Sequence, residues 1–472
     1  VRSMKVVFVF PPYNVSASWG SGRRMREGVL PPLGVGYLAA SIEAEGHRAM
    51  LVDAAAEALS IAETAEAVLA HQPDLVGITS LTHHALAAYD VAASLKSRMP
   101  DLPIVMGGPH VTAFWQDILK DCPAIDWLVP GEAERSFAGL VNALADGREY
   151  AFLPGLVYRD AVGNAVATPP LPPLRILDQV LPPARHIYNQ RSYRPLPNQG
   201  RRSPAAIVLS SRGCPYGKCT FCFQGGRYAS PYRRRTPENV IDEIRELVHG
   251  QGFREIMFWD ENFCVDTQWI VKFCDLLDRE APGIPWTVQG CVSTVTEPML
   301  QRMAMSGCYN IFFGFESGCQ ELLDLVHKGI TLDMARAAMA HARAAGLEVR
   351  GSFILGFPTE TLSMSEETVR FACELSPDYA NFVPFHPWPG TPIESFALSK
   401  GRYLGWKNEF LAPSYVPNTY ADADALVRML QHAYRRFYLR PRYISRVLWR
   451  SRTPTMLRRT MLGVRFWISM RK

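Results

Sequence analysis

Residues 210–226 read SSRGCPYGKCTFCFQGG and place three cysteines, Cys214, Cys219 and Cys222, within nine positions. A β-rich run at 206–210 leads into them, and their spacing is C-x4-C-x2-C. Structural zinc sites are closed and four-coordinate, and C-x2-C pairs are common in them. Here the next histidine downstream, His249, lies beyond a predicted helix. A four-iron cluster held by three thiolates leaves one iron open, which is useful only where a small molecule occupies it. The spacing alone fits both metals.

Working outward from this stretch, β-rich runs recur after it at 255–259, 286–289, 310–313, 349–355 and 379–384. Segments of helical period separate them at 237–249, 268–279, 298–306, 334–345 and 363–374. Six βα units predict a barrel or partial barrel over 204–400, with its active site at the C-terminal mouth of the strands. The same alternation fills residues 1–150, with runs at 5–10, 49–52, 75–79, 104–106 and 126–129. That pattern predicts a doubly wound, flavodoxin-like parallel sheet. Its strand ends lead into PPYN, ITSLTHH, GGPHV and GEAE, small or polar loops where such sheets bind ligands. Between the two units, 151–203 is proline-rich (TPPLPPL, RPLPNQG) and reads as a linker. Residues 401–472 read as a mostly helical C-terminal region. The expected fold class is therefore α/β throughout, with that helical region appended.

The chain has 472 residues, 48% hydrophobic and 20% charged, an ordinary globular balance. VRSMKVVFVFPPYN reads as a first strand, not a signal peptide. A cytoplasmic setting is expected, where clustered cysteines mean metal or catalysis more often than disulfides. The other seven cysteines form no tight pair and read as small buried hydrophobes. The net charge of +5 is unevenly spread. Residues 425–472 carry 13 Lys and Arg and no acid, leaving 37 basic against 45 acidic residues in the remainder. A dinucleotide fingerprint is also formally present, G-x-G-x-x-A at Gly34, Gly36 and Ala39 with Asp53 beyond it. More than twenty residues separate it from the first strand, so its glycines fall inside a helix and are expected to allow close helix–sheet packing.

The cysteine stretch and the motifs downstream of it resemble the radical S-adenosylmethionine (SAM) superfamily, which carries a cysteine triad after the first strand of a partial (β/α)6 barrel. An aromatic residue precedes the last cysteine, here Phe221. WDENF (259–263), GFESG (314–318), HKGIT (327–331), GSFILGFPTET (351–361) and HPWPGTP (386–392) match in order. The usual triad spacing is C-x3-C-x2-C, so this chain has one residue more between its first two cysteines. The resemblance implies a [4Fe-4S] cluster on Cys214, Cys219 and Cys222, with SAM on the open iron. It also implies reductive cleavage of SAM to a 5′-deoxyadenosyl radical. Asp260 and Glu316 are then candidates to orient SAM, and Gly351 and Gly356 to let the backbone approach its adenine.

PPLGVGYLAA (31–40), DLVGITS (74–80), GGPHVT (107–112) and GEAE (131–134) resemble the cobalamin-binding domain found upstream of radical SAM barrels. By that resemblance Thr79, Ser80, Gly107 and Gly108 surround the nucleotide tail of the corrinoid, and Gly131 and Glu132 lie at the rim. His110, with His83 and His84, is expected to be a polar pocket or surface residue more than a cobalt ligand. The D-x-H-x-x-G pattern that supplies a histidine to cobalt is missing, which implies cobalamin held without that ligand.

The two resemblances together imply a cobalamin-dependent radical SAM enzyme that methylates an unactivated carbon in a lipid, tetrapyrrole or natural-product intermediate. A non-methylating oxidative cyclisation is the same-class alternative. A tRNA methylthiotransferase would need a second cysteine triad, but Cys122 is the only cysteine in residues 1–150. A zinc-binding interaction protein is the non-catalytic alternative. The implied partners are a small-molecule substrate and an external electron donor of the flavodoxin or ferredoxin type. The tail, AYRRFYLRPRYISRVLWRSRT onward, interleaves arginine with aromatic residues. It suits a helical cap with a basic face, or a peripheral contact with the inner membrane surface, and nucleic acid less well.

Overall fold

The structure is a computed structural model that describes residues 2–13, 28–196, 198–405 and 412–450. Trp19, RRMRE and the tail beyond Arg450 lie outside the described residues. All five expected strands of the first unit are present: β1 (Lys5–Phe10), β2 (Arg48–Asp53), β3 (Leu75–Thr79), β4 (Ile104–Gly107) and β5 (Trp127–Val129). They pair in parallel in the order β2-β1-β3-β4-β5. In β1, Val6 and Phe8 enter one core with the helices Leu33–Ala44 and Glu134–Asp146. Val7 and Val9 enter another, with Ile61–Ala70, Ala85–Arg98 and Pro109–Asp121. A strand covered on both faces must be apolar at consecutive positions, and KVVFVF is.

The segment read as a linker does more than connect. Its first part forms an antiparallel hairpin, β6 (Val157–Arg159) and β7 (Ala165–Ala167), that extends the sheet beyond β5. Further on, Tyr193 donates its hydroxyl hydrogen to Asp53 Oδ2 at 2.8 Å, and Tyr188 donates to the Pro32 carbonyl at 3.2 Å. The close approach that Gly36 permits is to Tyr188 and Pro183 of this segment. That corrects the expectation of helix–sheet packing there.

The second unit starts with β8 (Ala205–Val208), followed by a two-residue ribbon, β9 (Ser211–Arg212) with β10 (Arg233–Arg234), that brackets the cysteine stretch. The strands β11 (Glu255–Phe258), β12 (Trp286–Gly290), β13 (Cys308–Glu316), β14 (Glu348–Leu355) and β15 (Tyr379–Pro384) complete a six-stranded parallel sheet. Its order is β15-β14-β13-β12-β11-β8, so it is a partial barrel with two open edges. Phe313, Phe315, Phe353 and Phe382 line up across β13–β15 with ring centroids 5.4–5.8 Å apart. A small ribbon, β16 (Gly401–Tyr403) with β17 (Tyr415–Pro417), precedes the C-terminal helices Ala423–Tyr438 and Pro441–Arg450. The first of these covers the β15 edge. Tyr438 Oη accepts from Ala380 N at 3.0 Å and donates to Ala380 O at 2.9 Å, and Tyr434 Oη accepts from Phe382 N at 3.2 Å. Half of the basic, aromatic tail motif is thus a cap on the barrel.

Beyond β14, Glu360 is fully buried in the GFPTET turn, accepting from Phe357 N at 2.7 Å and from the Ser365 hydroxyl. Burial outweighs both hydrogen bonds and pushes its carboxyl from 4.5 up to about 7. A carboxyl raised on folding contributes stability that is whole below the unfolded value and is lost as pH rises through the folded one. Wild-type protein should therefore lose on the order of 3 kcal/mol between about pH 4.5 and 7 from this group. Glu360→Gln is expected to flatten that part of the curve of unfolding midpoint against pH.

Candidate functional site

The cysteine loop leaves the C-terminal end of β8 and is fixed at its root. Asp260, at the end of β11 and 1% exposed, accepts from Ser210 Oγ at 2.7 Å, Ser211 Oγ at 2.5 Å and Ser210 N at 3.2 Å. Burial raises its pKa against these bonds. Its oxygens are committed to the strand end, so Asp260 positions the loop. The ligand-orienting role expected for it does not match this geometry.

None of the three cysteines is in a disulfide, and all are partly accessible. Cys222 N donates to the Cys219 carbonyl at 3.2 Å, and Gly225 N to the Cys222 carbonyl at 2.9 Å, which coils the second half of the loop tightly. The extra residue in the first half is absorbed by a left-handed turn at Gly217, φ 56°. Tyr216, beside it, donates to the His327 carbonyl at 2.9 Å and lays its ring against Gly329 of HKGIT. Burial pushes the Cys219 thiol up to about 12 and the Cys222 thiol up to about 11. Metal binding at these thiols releases their protons. Among the described residues no three His, Cys, Asp or Glu side chains already stand at metal-bonding geometry. Three thiols on one loop, with no fourth protein ligand beside them among the described residues, fit the donor set of a three-thiolate iron–sulfur cluster.

Beside the loop stands a pair that the sequence only half reveals. Glu316 ends β13 in the left-handed region, φ 63°, just past a register shift between β13 and β14. Such a conformation is uncommon in a non-glycine residue at a strand end and makes the position a candidate for function. Its Oε1 accepts from Lys328 Nζ at 2.7 Å, and both side chains are nearly buried, 10% and 13% exposed. Burial opposes the lysine's charge, but the Glu316 carboxylate holds its pKa above the ordinary value. Lys328 Nζ also lies 5.8 Å from the centre of the Phe221 ring. HKGIT is legible as a motif, yet nothing in a linear reading singles out its lysine. Gly351 and Gly356 fall differently. The space for a side chain at Gly351 is taken by Phe315, and at Gly356, φ 84°, by Leu426 of the C-terminal helix. These glycines admit protein atoms on that face.

In the first unit, strand order reverses between β1 and β3, and ligands of such sheets sit outside the strand ends at that point. Thr79, Ser80, Gly107 and Gly108 do come together there. Gly108, φ 98°, would with any side chain strike Thr79 Oγ1 and the Ser80 backbone. His110 N donates to Ser80 O at 3.1 Å. The His110 ring is held inside, 3.0 Å from Tyr89 Oη and 3.4 Å from Thr82 Oγ1, and stacks on Phe114. Gly131, φ 76°, has open space where a side chain would be. His84 is 3% exposed, and neither of its ring nitrogens has a hydrogen-bond partner among the described residues. A glycine-lined crevice at the switch point fits a large cofactor.

Glu132 departs from its expected place at the rim of a pocket. It accepts from Arg212 at 2.9 Å, from Ser230 Oγ at 2.7 Å and from both terminal nitrogens of Arg233. Glu134 takes the other nitrogen of Arg212 at 2.6 Å. Burial works against the charge of Glu132, but its arginine and serine partners hold its pKa below the usual range. GEAE thus latches the first unit onto the ribbon that brackets the cysteine loop. Glu132→Gln leaves Arg233, with 8% of its side chain exposed, without its carboxylate. The variant should lose about 2 kcal/mol in denaturant unfolding, and Glu134→Gln less.

The chain matches the B12 binding domain over residues 23–141 and the Radical SAM superfamily over residues 208–372. It is 32% identical to an uncharacterized methyltransferase, PH0819, of Pyrococcus horikoshii, over 94% of both chains. It is 31% identical to the anaerobic magnesium-protoporphyrin IX monomethyl ester cyclase of Rubrivivax gelatinosus, over 94% of this chain and 79% of the cyclase. Among solved structures, the radical SAM methyltransferase TsrM of Kitasatospora setae superposes with a TM-score of 0.66 at 21% identity, covering 84% of this chain and 75% of TsrM. At that identity the likeness concerns the fold. With a three-thiol loop at the mouth of one unit latched to the loop after β5 of the other, the chain belongs to the radical SAM enzymes that carry an N-terminal B12 binding domain, whose cofactors are a [4Fe-4S] cluster, SAM and cobalamin.

Proposed function

We propose that the protein is a C-methyltransferase that replaces hydrogen on an unactivated carbon of a lipid, tetrapyrrole or natural-product intermediate. The observation that carries this reading is the latch. Arg212 stands two residues before Cys214 and is held by Glu132 and Glu134, so the loop of one unit and the strand ends of the other are kept at one interface. When bound, the cluster with SAM supplies a carbon radical and cobalamin a transferable methyl group. The chain's own part is positional. Cys214, Cys219 and Cys222 hold the cluster, and Phe221 walls it. Glu316 and Lys328 offer a carboxylate and an ammonium to the zwitterionic end of SAM. Thr79, Ser80, Gly107, Gly108 and Gly131 shape the corrinoid crevice. A flavodoxin- or ferredoxin-type protein delivers the electron.

Oxidative cyclisation is kept as a second reading because a relative 31% identical over 94% of the chain bears a cyclase name. The experiment supplies reconstituted, reduced protein with methyl-deuterated SAM and a lipid and pigment extract. A product heavier by one trideuteromethyl group is expected, and Cys219→Ala should abolish it. A product formed without the label would favour the cyclase reading.

The C-terminal helices supply the second half of the proposal, contact with a membrane surface. No helix among the described residues is long and apolar enough to cross a membrane. Leu439, Ile444, Leu448 and Trp449 are 41–67% exposed, and Arg435, Arg436 and Arg442 are exposed beside them. Apolar side chains flanked by arginine suit an anionic interface. The full chain should sediment with phosphatidylglycerol vesicles and not with phosphatidylcholine ones, and Leu448→Ser should weaken this. Equal indifference to both would exclude membrane contact.

A further inference from the structure

On the outer face of the barrel strands, Val288, Ile311, Phe313, Val349 and Phe382 are fully buried. Side chains alternate along a strand, so the residues between these face the lumen. One row of them crosses β12 to β15 in register: Gln289 beside Phe312, Phe312 beside Arg350, and Arg350 beside Tyr379. All four are only half-buried, and Trp259, just past β11, is 40% exposed. A closed barrel fills its interior with bulky branched side chains. This one keeps accessible space there, with aromatic rings and a cation on its wall.

The cation has no carboxylate partner among the described residues. Arg350 Nε donates to Asn310 Oδ1 at 2.7 Å, and the guanidinium lies 5.4 Å from the centre of the Phe312 ring. Neither terminal nitrogen is hydrogen-bonded or ion-paired among the described residues, and the side chain is not sealed from the lumen. The acids of the neighbourhood are engaged elsewhere. Glu348, two residues before it on β14, accepts from Arg201 at 2.8 Å. Glu255 accepts from Tyr309 Oη and from the backbone of Arg201 and Arg202. Burial pushes the Arg350 pKa down to about 10, yet a guanidinium there is still charged at neutral pH. Asn310, 0% exposed, leaves a second donor unmet, because its Nδ2 has no partner among the described residues. Buried donors are nearly always met, and a guanidinium beside an amide N–H suits the two oxygens of a carboxylate.

We propose that Arg350 and Asn310 form an anion site on the wall of the barrel lumen that takes a carboxylate of the substrate, with the apolar body of the molecule along Phe312 and toward Trp259. The inference rests on the methyltransferase reading and narrows it. Among lipids, tetrapyrroles and natural products it selects molecules that join an apolar body to a carboxylate. Arg350 stands five residues before the end of β14, about 16 Å of strand at ~3.3 Å per residue. The acid group is therefore anchored well below the mouth, and the carbon presented at the mouth is remote from it.

The test uses the full chain reconstituted with its cluster and two probes of one shape, pyrenebutyrate and pyrenebutanol, followed anaerobically by fluorescence anisotropy. Wild-type protein should bind the acid about tenfold more tightly than the alcohol, or better. Arg350→Gln should erase that ratio, and Arg350→Lys should keep part of it. Asn310→Asp keeps the oxygen that orients the guanidinium and supplies the carboxylate it lacks. It should therefore erase the ratio too, and it serves where Arg350→Gln fails to fold. Equal binding of the two probes by wild-type protein, or no binding of either, would overturn the proposal. That is also the result expected if the free oxygen of Glu348 turned to Arg350 and neutralised it. A preference that survives in folded Asn310→Asp protein would overturn it as well. In the labelling experiment with methyl-deuterated SAM, the heavy product should carry a carboxylate, and a product without one would count against the site. An acid preference in protein that transfers no label would instead overturn the methyltransferase reading and leave the anion site standing.

Discussion

The charge network of Arg212 and Arg233 with Glu132 and Glu134 is the constraint on which the rest of the molecule depends. Each unit could fold around its own core, and neither core includes a residue of the other. Their relation is held by a set of part-buried charges whose opposite charges lie in the other unit. Partly buried arginines without carboxylates are costly, so the latch tolerates little sliding. Its position matters as much as its strength. Arg212 and Arg233 are the paired strands on either side of the cysteine loop, so docking the two units also shapes the loop that must hold metal. Gly213, φ 79°, lets that backbone pass against the carbonyls of Ser230 and Pro231, where a side chain would clash. The guanidinium of Arg212 further rests over Tyr37 at 4.8 Å, on the helix Leu33–Ala44 after β1.

How much of this is legible in a sequence depends on the range of the interaction. The alternation of strand and helix, the doubly wound sheet it implies and the cysteine triad are local or periodic, and all can be read. Residues whose partners are distant cannot. Asp260 looks like any acid at a strand end until Ser210 and Ser211, fifty residues away, take its oxygens. Glu132 looks like a pocket rim until Arg233, about a hundred residues on, reaches it. Gly351 and Gly356 advertise a close approach but not to what, and the answer is Phe315 and Leu426. Lys328 shows the converse case. Its motif is visible, but its importance comes from burial next to Glu316 and Cys219, which no spacing announces.

The open edges of the barrel obey the same long-range logic. Six parallel strands leave an unpaired row of backbone groups at each end, and such edges must be covered. At β15 the C-terminal helix does this with the hydroxyls of Tyr434 and Tyr438. At β8, Arg185 of the proline-rich segment donates to the Ile207 carbonyl at 2.6 Å and pairs with the buried Glu243 at 2.8 Å. The two segments with the weakest fold signal are thus the ones that cover the edges of the barrel. A six-stranded open barrel keeps lateral room at its mouth, which a closed ring of eight strands packed with its own side chains does not. The proline-rich segment also ties Tyr188 and Tyr193 to the first unit. One stretch of chain therefore covers an edge of the barrel and anchors on the first unit, joining the two by contacts as well as by connection.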